Sequence, residues 1–398
     1  MNETVKIALP PQGSVIRKLL INLMTYIYTI DSIRDVELEG NYIKLHVTSR
    51  KDFLTDLNSS LRDIGEIVGK DLENNKIRDF KIHLNDRRSF KSMLNNMATD
   101  YLFTNIVRIL REANLSLESL NELGIAKSNG KGRIRIVLGS DRLALPLEVF
   151  YERYQSRYEF PKGRGGKPFD VRLSPAWFTI LMAGLALSYI NSFGAEYVLA
   201  FVTEDTFARV VRDPTARAII YGSRYGILSI LRDRNVPPRP HIPFVLYISS
   251  EIVKEVRDNV ELLKELINIK PTLEIDRVNR TGKSFTLQER LSLDVSPFLE
   301  KMLKLDTDVL EWISRNARKC IYSLGTGAVY GKYVTLSNKI YEALIGVGDP
   351  EEAAIYAMRS IAEYEAEKAT DFRKVLRYHS SKVEKFVKAL KYGYESAS

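Results

Sequence analysis

The chain has 398 residues, 45% hydrophobic and 27% charged, a composition typical of a soluble globular protein with two or three domains. Its one cysteine, Cys320, excludes an intramolecular disulfide and a cysteine-based zinc site, and its four histidines are scattered. The net charge is +9, and nearly all of the excess lies between Lys127 and Arg239, where 18 Lys/Arg stand against 10 Asp/Glu, as in proteins that bind polyanions.

The first 85 residues predict the order βαββαβ, the ferredoxin-like arrangement. Alternating apolar residues predict strands in "VKIAL", in both arms of "DVELEGNYIKLHV" and in "FKIHL" at 80–84. Helical spacing predicts one helix after Gly13-Ser14 and another over 51–69. The third strand aligns Tyr42 with Lys44 and His46, for which we expect an exposed polar face. A long amphipathic helix over 87–113 completes a first domain, residues 1–113.

Residues 114–295 predict a basic, mixed α/β middle domain. We expect a strand near "RIRIVLG", an apolar helix over 174–193, a strand at "EYVLAFV", an arginine-rich helical region over 206–234 and a buried strand at "PFVLYIS". A β-hairpin follows, with Arg280-Thr281-Gly282-Lys283 at its tip. The apolar segment 173–195 carries no charge, but its densely apolar part is shorter than the roughly 20 residues that span a membrane. We therefore expect a buried helix there and no membrane association.

Residues 296–398 predict a C-terminal helical bundle, with helices over 297–314, 333–345, 350–366 and 372–392. The expected fold class is thus α+β, in three segments: 1–113, 114–295 and 296–398. The start of the chain lacks the charged and apolar regions of a secretory signal. We expect a protein of the reducing cytoplasm.

The middle domain mixes cations, aromatic rings and glycines at high density in "YERYQSRYEFPKGRGGKPFD". Cations neutralise phosphates, and tyrosine rings offer bases a surface for stacking. A helical face and the hairpin tip extend the same chemistry. The predicted nucleic-acid contacts are Arg153, Arg157, Lys162, Arg164, Lys167, Arg217, Tyr221, Arg224, Arg277, Arg280 and Lys283. A solvated surface, or pairing of these arginines with acids, is the alternative.

Motifs for catalysis or cofactor binding are weak. "DRVNRTGKS" and "GTGAVYGKY" resemble phosphate-binding loops but lack the required spacing and flanking elements, so we expect no nucleotide cofactor. No pattern of metal ligands appears, and we expect no metal site. One alternative is open: "RKVLRYH" fits the R-x(4-6)-H string of HEPN ribonucleases, in which Arg373 and His379 would cleave RNA without a metal. However, His379 lies on an apolar helical stripe, which favours a packed histidine.

In layout the chain resembles the large subunit of archaeal type I-A CRISPR interference complexes. The resemblance lies in an α/β N-terminal part, a basic centre around "FPKGRGGKPFD" and "ARVVRDPTARAIIYGSRYGILSILRDR", and a helical C-terminal domain. It implies a non-catalytic protein near the 5′ end of the guide RNA that helps to recognise target DNA beside the matched sequence. The partners expected on this basis are guide RNA, target DNA and the other subunits of a ribonucleoprotein complex.

Overall fold

The computed structural model describes residues 3–83, 86–129, 135–146, 148–151, 170–211, 220–221, 227–234, 241–281, 284–294, 296–322 and 328–392. It divides the chain into two compact units. Unit 1 comprises Met1–Arg217 and Leu273–Ser292, and unit 2 comprises Ala218–Thr272 and Leu293–Ser398. The boundaries differ from the three expected segments because the β-hairpin after residue 272 pairs with an earlier strand of unit 1.

Unit 1 opens with a three-stranded antiparallel sheet of order β1-β3-β2. Its strands and first two helices are β1 (Glu3–Ala8), α1 (Val15–Ile27), β2 (Ile33–Glu39), β3 (Tyr42–Val47) and α2 (Arg50–Glu73). Alternate residues of each of the strands β1 and β3 are buried, the first being Val5 in β1 and the last Val47 in β3. Ser14 and Ser49 begin the two helices, and each side chain accepts a hydrogen bond from a backbone N–H of the first turn. The predicted hairpin and both helices are confirmed.

The fourth strand predicted for this sheet does not join it. Among the described residues, segment 80–83 makes one isolated bridge, between Lys81 and Tyr101. The reason lies at Asp79, whose carboxylate accepts the backbone N–H groups of Phe103 and Thr104 at 2.8 Å. These contacts hold the segment against the following helix and away from β1.

The helix predicted over 87–113 is interrupted. The structure has α3 (Arg87–Met93) and α4 (Leu102–Arg111) instead. Between them, Asn95 and Asn96 adopt φ angles of +48° and +67°. Asparagine tolerates this left-handed conformation better than most residues, and a helix cannot continue through it.

The remaining strands of unit 1 form two four-stranded sheets, of order β4-β5-β7-β6 and β11-β10-β9-β8. The helices and strands of this part of the chain are α5 (Leu117–Leu123), β4 (Ala126–Asn129), β5 (Arg135–Leu138), β6 (Leu143–Ala144), β7 (Asp170–Leu173), α6 (Pro175–Ser188), β8 (Tyr189–Phe193), β9 (Glu196–Val202), α7 (Glu204–Val210), β10 (Thr272–Thr281) and β11 (Ser284–Asp294). The predicted apolar helix is α6; it is buried as expected, but it ends at Ser188 and the chain continues as β8. In the described part of the chain, no helix has both the length and the apolar character required to cross a membrane.

Helices α1 and α6 pack against each other at Gly184. A Cβ at this position would lie 2.7 Å from the carbonyl carbon of Leu19. We expect Gly184→Ala to destabilise the protein by about 1–3 kcal/mol, because the two helices must separate. Urea unfolding followed by circular dichroism measures this. The matched control is Gly331→Ala, where nothing lies within 4 Å and a better helix former should stabilise by about 0.5–1 kcal/mol.

Unit 2 is helical in its described residues, apart from the ends of the two hairpin strands. Its helices are α8 (Ile227–Arg234), α9 (His241–Val256), α10 (Val260–Ile269), α11 (Ser296–Leu303), α12 (Thr307–Tyr322), α13 (Ala328–Ile345), α14 (Pro350–Tyr356), α15 (Glu363–Glu367) and α16 (Phe372–Lys391). A π-helical turn, Ala357–Ala362, joins α14 to α15. The α+β class and the helical C-terminal region are confirmed.

The strand predicted at "PFVLYIS" is wrong, because residues 243–249 lie within α9. All seven are buried, and α9 packs against α12 and α13. A short, wholly apolar run has the same pattern in a buried strand and in a buried helix, so periodicity alone does not distinguish them.

Candidate nucleic-acid interface

Most of the predicted nucleic-acid contacts lie outside the described residues. They are Arg153, Arg157, Lys162, Arg164, Lys167, Arg217, Arg224 and Lys283. Tyr221 is described and is half-buried. The roles assigned to these side chains stay predictions.

Arg277 does not suit the contact predicted for it. It lies in the middle of β10 and is 5% exposed. Its guanidinium group forms ion pairs with Glu289 at 2.5 Å and with Glu196 at 3.3 Å. A buried, doubly paired arginine stabilises the sheet and is not available to a phosphate, so the placement of Arg277 at an exposed hairpin tip is corrected.

Arg280 is half-buried near the end of the same strand. Its Nη1 donates to the backbone oxygen of Lys81 at 3.1 Å, and its guanidinium lies 5.8 Å from the centre of the Phe285 ring. Lys81 and nearby Arg78 are both exposed. Within the described residues neither of these two side chains forms an ion pair. The fold thus brings a cationic segment of the N-terminal region to the hairpin, which the sequence did not predict.

The structure does not bring the pair of the ribonuclease alternative together. His379 is 1% exposed in α16, whereas Arg373 is exposed. They are six positions apart in sequence, which places the two side chains about 120° apart around the helix. Both ring nitrogens of His379 are engaged: Trp312 Nε1 donates to Nδ1 at 3.2 Å, and Nε2 faces Glu365 Oε2 at 3.2 Å.

Two tyrosines, each with two cations over its ring, lie on α12, α13 and α16 and at the end of α15, in the same unit as this histidine. Lys332 and Lys368 lie 5.1 and 4.2 Å from the centre of the Tyr364 ring. Arg315 and Lys382 lie 5.2 and 5.8 Å from the centre of the Tyr378 ring. We call these six residues the cation–tyrosine surface. Both rings and Lys332 are half-buried, and Lys368 and Arg315 are exposed.

A buried polar network underlies the cation–tyrosine surface. Glu365 accepts hydrogen bonds from Lys319, from the Tyr333 hydroxyl at 2.6 Å and from His379. Because Trp312 donates to Nδ1, the proton of a neutral His379 lies on Nε2. Burial acts to raise the pKa of Glu365, but the hydrogen bonds from His379, Lys319 and Tyr333 hold it well below its usual range. Glu365 is therefore a fixed anion that ties four helical segments together.

The charge balance of the surface favours an anionic ligand. Lys382 is paired with Asp308 at 2.6 Å, and Arg315 is 3.8 Å from Glu365. In the part of the chain that the structure describes, Lys332 and Lys368 form no ion pair. Two cations beside a tyrosine ring match the requirements of a nucleotide, since phosphates attract cations and bases stack on rings.

A cavity of about 300 Å³ in unit 1 has the opposite character. Its lining includes Glu204, Asp205 and Glu274 against one cation, Lys18. Arg17, nearby, is committed to Glu204 by two hydrogen bonds of 2.6 and 2.7 Å. Excess carboxylate repels a polyanion, so the lining of this cavity does not suit a nucleic acid.

The sequence carried a signal for the cation–tyrosine surface that the prediction missed. Tyr364 and Lys368, and likewise Tyr378 and Lys382, are four residues apart and so share a helix face. Their assembly with Arg315 and Lys332 depends on helix packing. No family model, curated protein or solved structure matches the chain.

Proposed function

We propose that this protein is a nucleic-acid-binding subunit of a CRISPR antiviral surveillance complex, in which it contacts guide RNA and target DNA without cleaving them. The observation that carries the binding proposal is the cation–tyrosine surface, where two half-buried rings each lie beside two cations. Membership of such a complex rests on the resemblance in layout alone. The exposed Arg78 and Lys81 beside Arg280 offer a second cationic area, in unit 1.

The geometry suits an unpaired strand. A base that stacks on Tyr364 would displace a lysine from over the ring, and Lys332 and Lys368 would then lie within reach of its own phosphate. Base–aromatic stacking contributes about 1–3 kcal/mol per base and tolerates any base. Binding at this surface should therefore depend on salt and show little sequence preference.

We expect the two kinds of side chain to have separable effects on binding. Replacing both rings, Tyr364→Leu with Tyr378→Leu, should weaken binding of a fluorescent 20-mer of dT or rU at least about tenfold. Lys332→Ala with Lys368→Ala should also reduce the slope of log K against log salt by about 1.4, since two phosphate contacts are lost. Fluorescence anisotropy at several salt concentrations measures both quantities.

Matched controls are Tyr392→Leu and Lys388→Ala, which change an exposed tyrosine and an exposed cation elsewhere in unit 2. If the surface variants fold and bind like the controls, the cation–tyrosine surface is not the site. The triple variant Lys162→Ala, Arg164→Ala, Lys167→Ala then tests the predicted loop by itself. A wild-type protein that binds neither oligonucleotide at low salt contradicts the proposed function as a whole.

A further inference from the structure

The outer face of the β1-β3-β2 sheet gathers metal-ligating side chains. Asp35 on β2 is the cross-strand partner of His46 on β3, and Glu37 lies two residues along β2 on the same face. One ligand atom from each of the three lies within 4.8 Å of the others. Asp35 and Glu37 are exposed and His46 is half-buried, so solvent reaches the group.

The sheet holds this arrangement in place. Leu45, next to His46, is fully buried, which fixes the alternation of β3 and turns the imidazole outward. A register shift between Ile33 and Asp35 marks a bulge directly beside the group, a feature that redirects side chains. His46 Nε2 already lies 3.4 Å from Glu37 Oε1, so small side-chain rotations would bring both atoms onto one ion.

We propose that Asp35, Glu37 and His46 bind one divalent transition-metal ion of the Zn²⁺ type. One imidazole nitrogen and two carboxylate oxygens are ligands that Zn²⁺ accepts, and three protein ligands leave a position for water. An ion of the Mg²⁺ or Ca²⁺ type would instead favour a set made only of oxygens. The site is independent of the proposed nucleic-acid function.

The positive charge of Lys44 opposes metal binding, so its removal provides a second test in which binding should become tighter. Its Nζ lies 3.2 Å from Glu37 Oε2. An incoming cation must displace this ammonium group or share the carboxylate with it. Removing the competing charge with Lys44→Met should therefore tighten metal binding, whereas most substitutions near a metal site weaken it.

The test is titration of the purified full chain with Co²⁺, followed by its visible absorption, and displacement of Co²⁺ by Zn²⁺. We expect one ion per chain, weakening of at least about tenfold in His46→Gln and in Asp35→Asn, and tighter binding in Lys44→Met. His241→Gln and Glu39→Gln change another exposed histidine and the next acid along β2, and both should leave binding unchanged. Absence of binding, or equal loss in His46→Gln and His241→Gln, overturns the proposal.

Discussion

Replacing Asp276 by Ala is expected to destabilise unit 1 by about 3–5 kcal/mol, because it removes one partner of a buried charge network. Asp276 has no exposed surface and lies in β10. Its carboxylate accepts the Tyr151 hydroxyl at 2.5 Å and Arg290 Nε and Nη2 at 2.8 and 3.2 Å. Lys18 Nζ lies 3.5 Å away. The substitution would remove the acceptor that buried Tyr151, half-buried Lys18 and exposed Arg290 share.

A neighbouring carboxylate offsets part of this loss. Glu274 also pairs with Lys18 and with Arg290. Burial, and then the charge of Asp276, raise the pKa of Glu274. Without Asp276 the carboxyl of Glu274 ionises more readily and neutralises one of the two cations. We therefore expect the loss in unfolding free energy to stay within about 3–5 kcal/mol.

The unfolding free energy of unit 1 is measurable separately, because the chain has two tryptophans and each unit contains one. In a Trp312→Phe background, the fluorescence of buried Trp177 reports urea unfolding of unit 1. The control is Asp63→Ala, which changes an exposed acid of α2 and should shift stability by less than about 0.5 kcal/mol. A loss below about 1 kcal/mol in Asp276→Ala would show that the network contributes little.

The second large expected effect is a gain in unfolding free energy at neutral pH when the buried carboxyl of Glu148 is replaced. Glu148 is 1% exposed, and burial together with the nearby charge of Asp86 raises its pKa to about 8. A carboxyl whose pKa is higher in the folded state binds a proton more tightly there. Its contribution to stability is complete below the unfolded pKa, near 4.5, and is lost as pH rises through 8. At pH 7 the unfolding free energy is about 3 kcal/mol lower, through Glu148, than it is below about pH 4.5.

Glu148→Gln should remove this pH-dependent loss. In the wild type the backbone N–H of His83 donates to Glu148 Oε1 at 2.5 Å, and in the variant the amide oxygen of glutamine would accept this hydrogen bond. The new NH₂ group would donate toward Asp86. The Tyr197 hydroxyl donates to the backbone oxygen of Glu148 and is unaffected by the change. We expect the variant to match wild type near pH 4.5 and to exceed it increasingly up to pH 8. Urea unfolding at pH 5, 7 and 8 gives the difference, and parallel pH profiles would contradict the assignment.

Local interactions made much of the fold predictable. Period-two alternation in β1 and β3, the turn at Gly40 and the capping residue Ser14 each involve neighbours in sequence, so propensity and pattern suffice. The same holds for the charge-free helix α6 and for the helical C-terminal region. Predictions were wrong where a distant contact overrode the local pattern, as at segment 80–83, held by α4, and in α9, buried by α12 and α13.

The sequence by itself determined the secondary structure of most described elements, the α+β class and the concentration of positive charge. Only the tertiary structure decided which charges face solvent. Arg277 became a buried partner of Glu196, 81 positions earlier, and Lys332 joined Tyr364 across two helices. The physical reason is that helix and strand formation depend on neighbours, whereas the ionic partner of a side chain depends on which distant segments pack beside it.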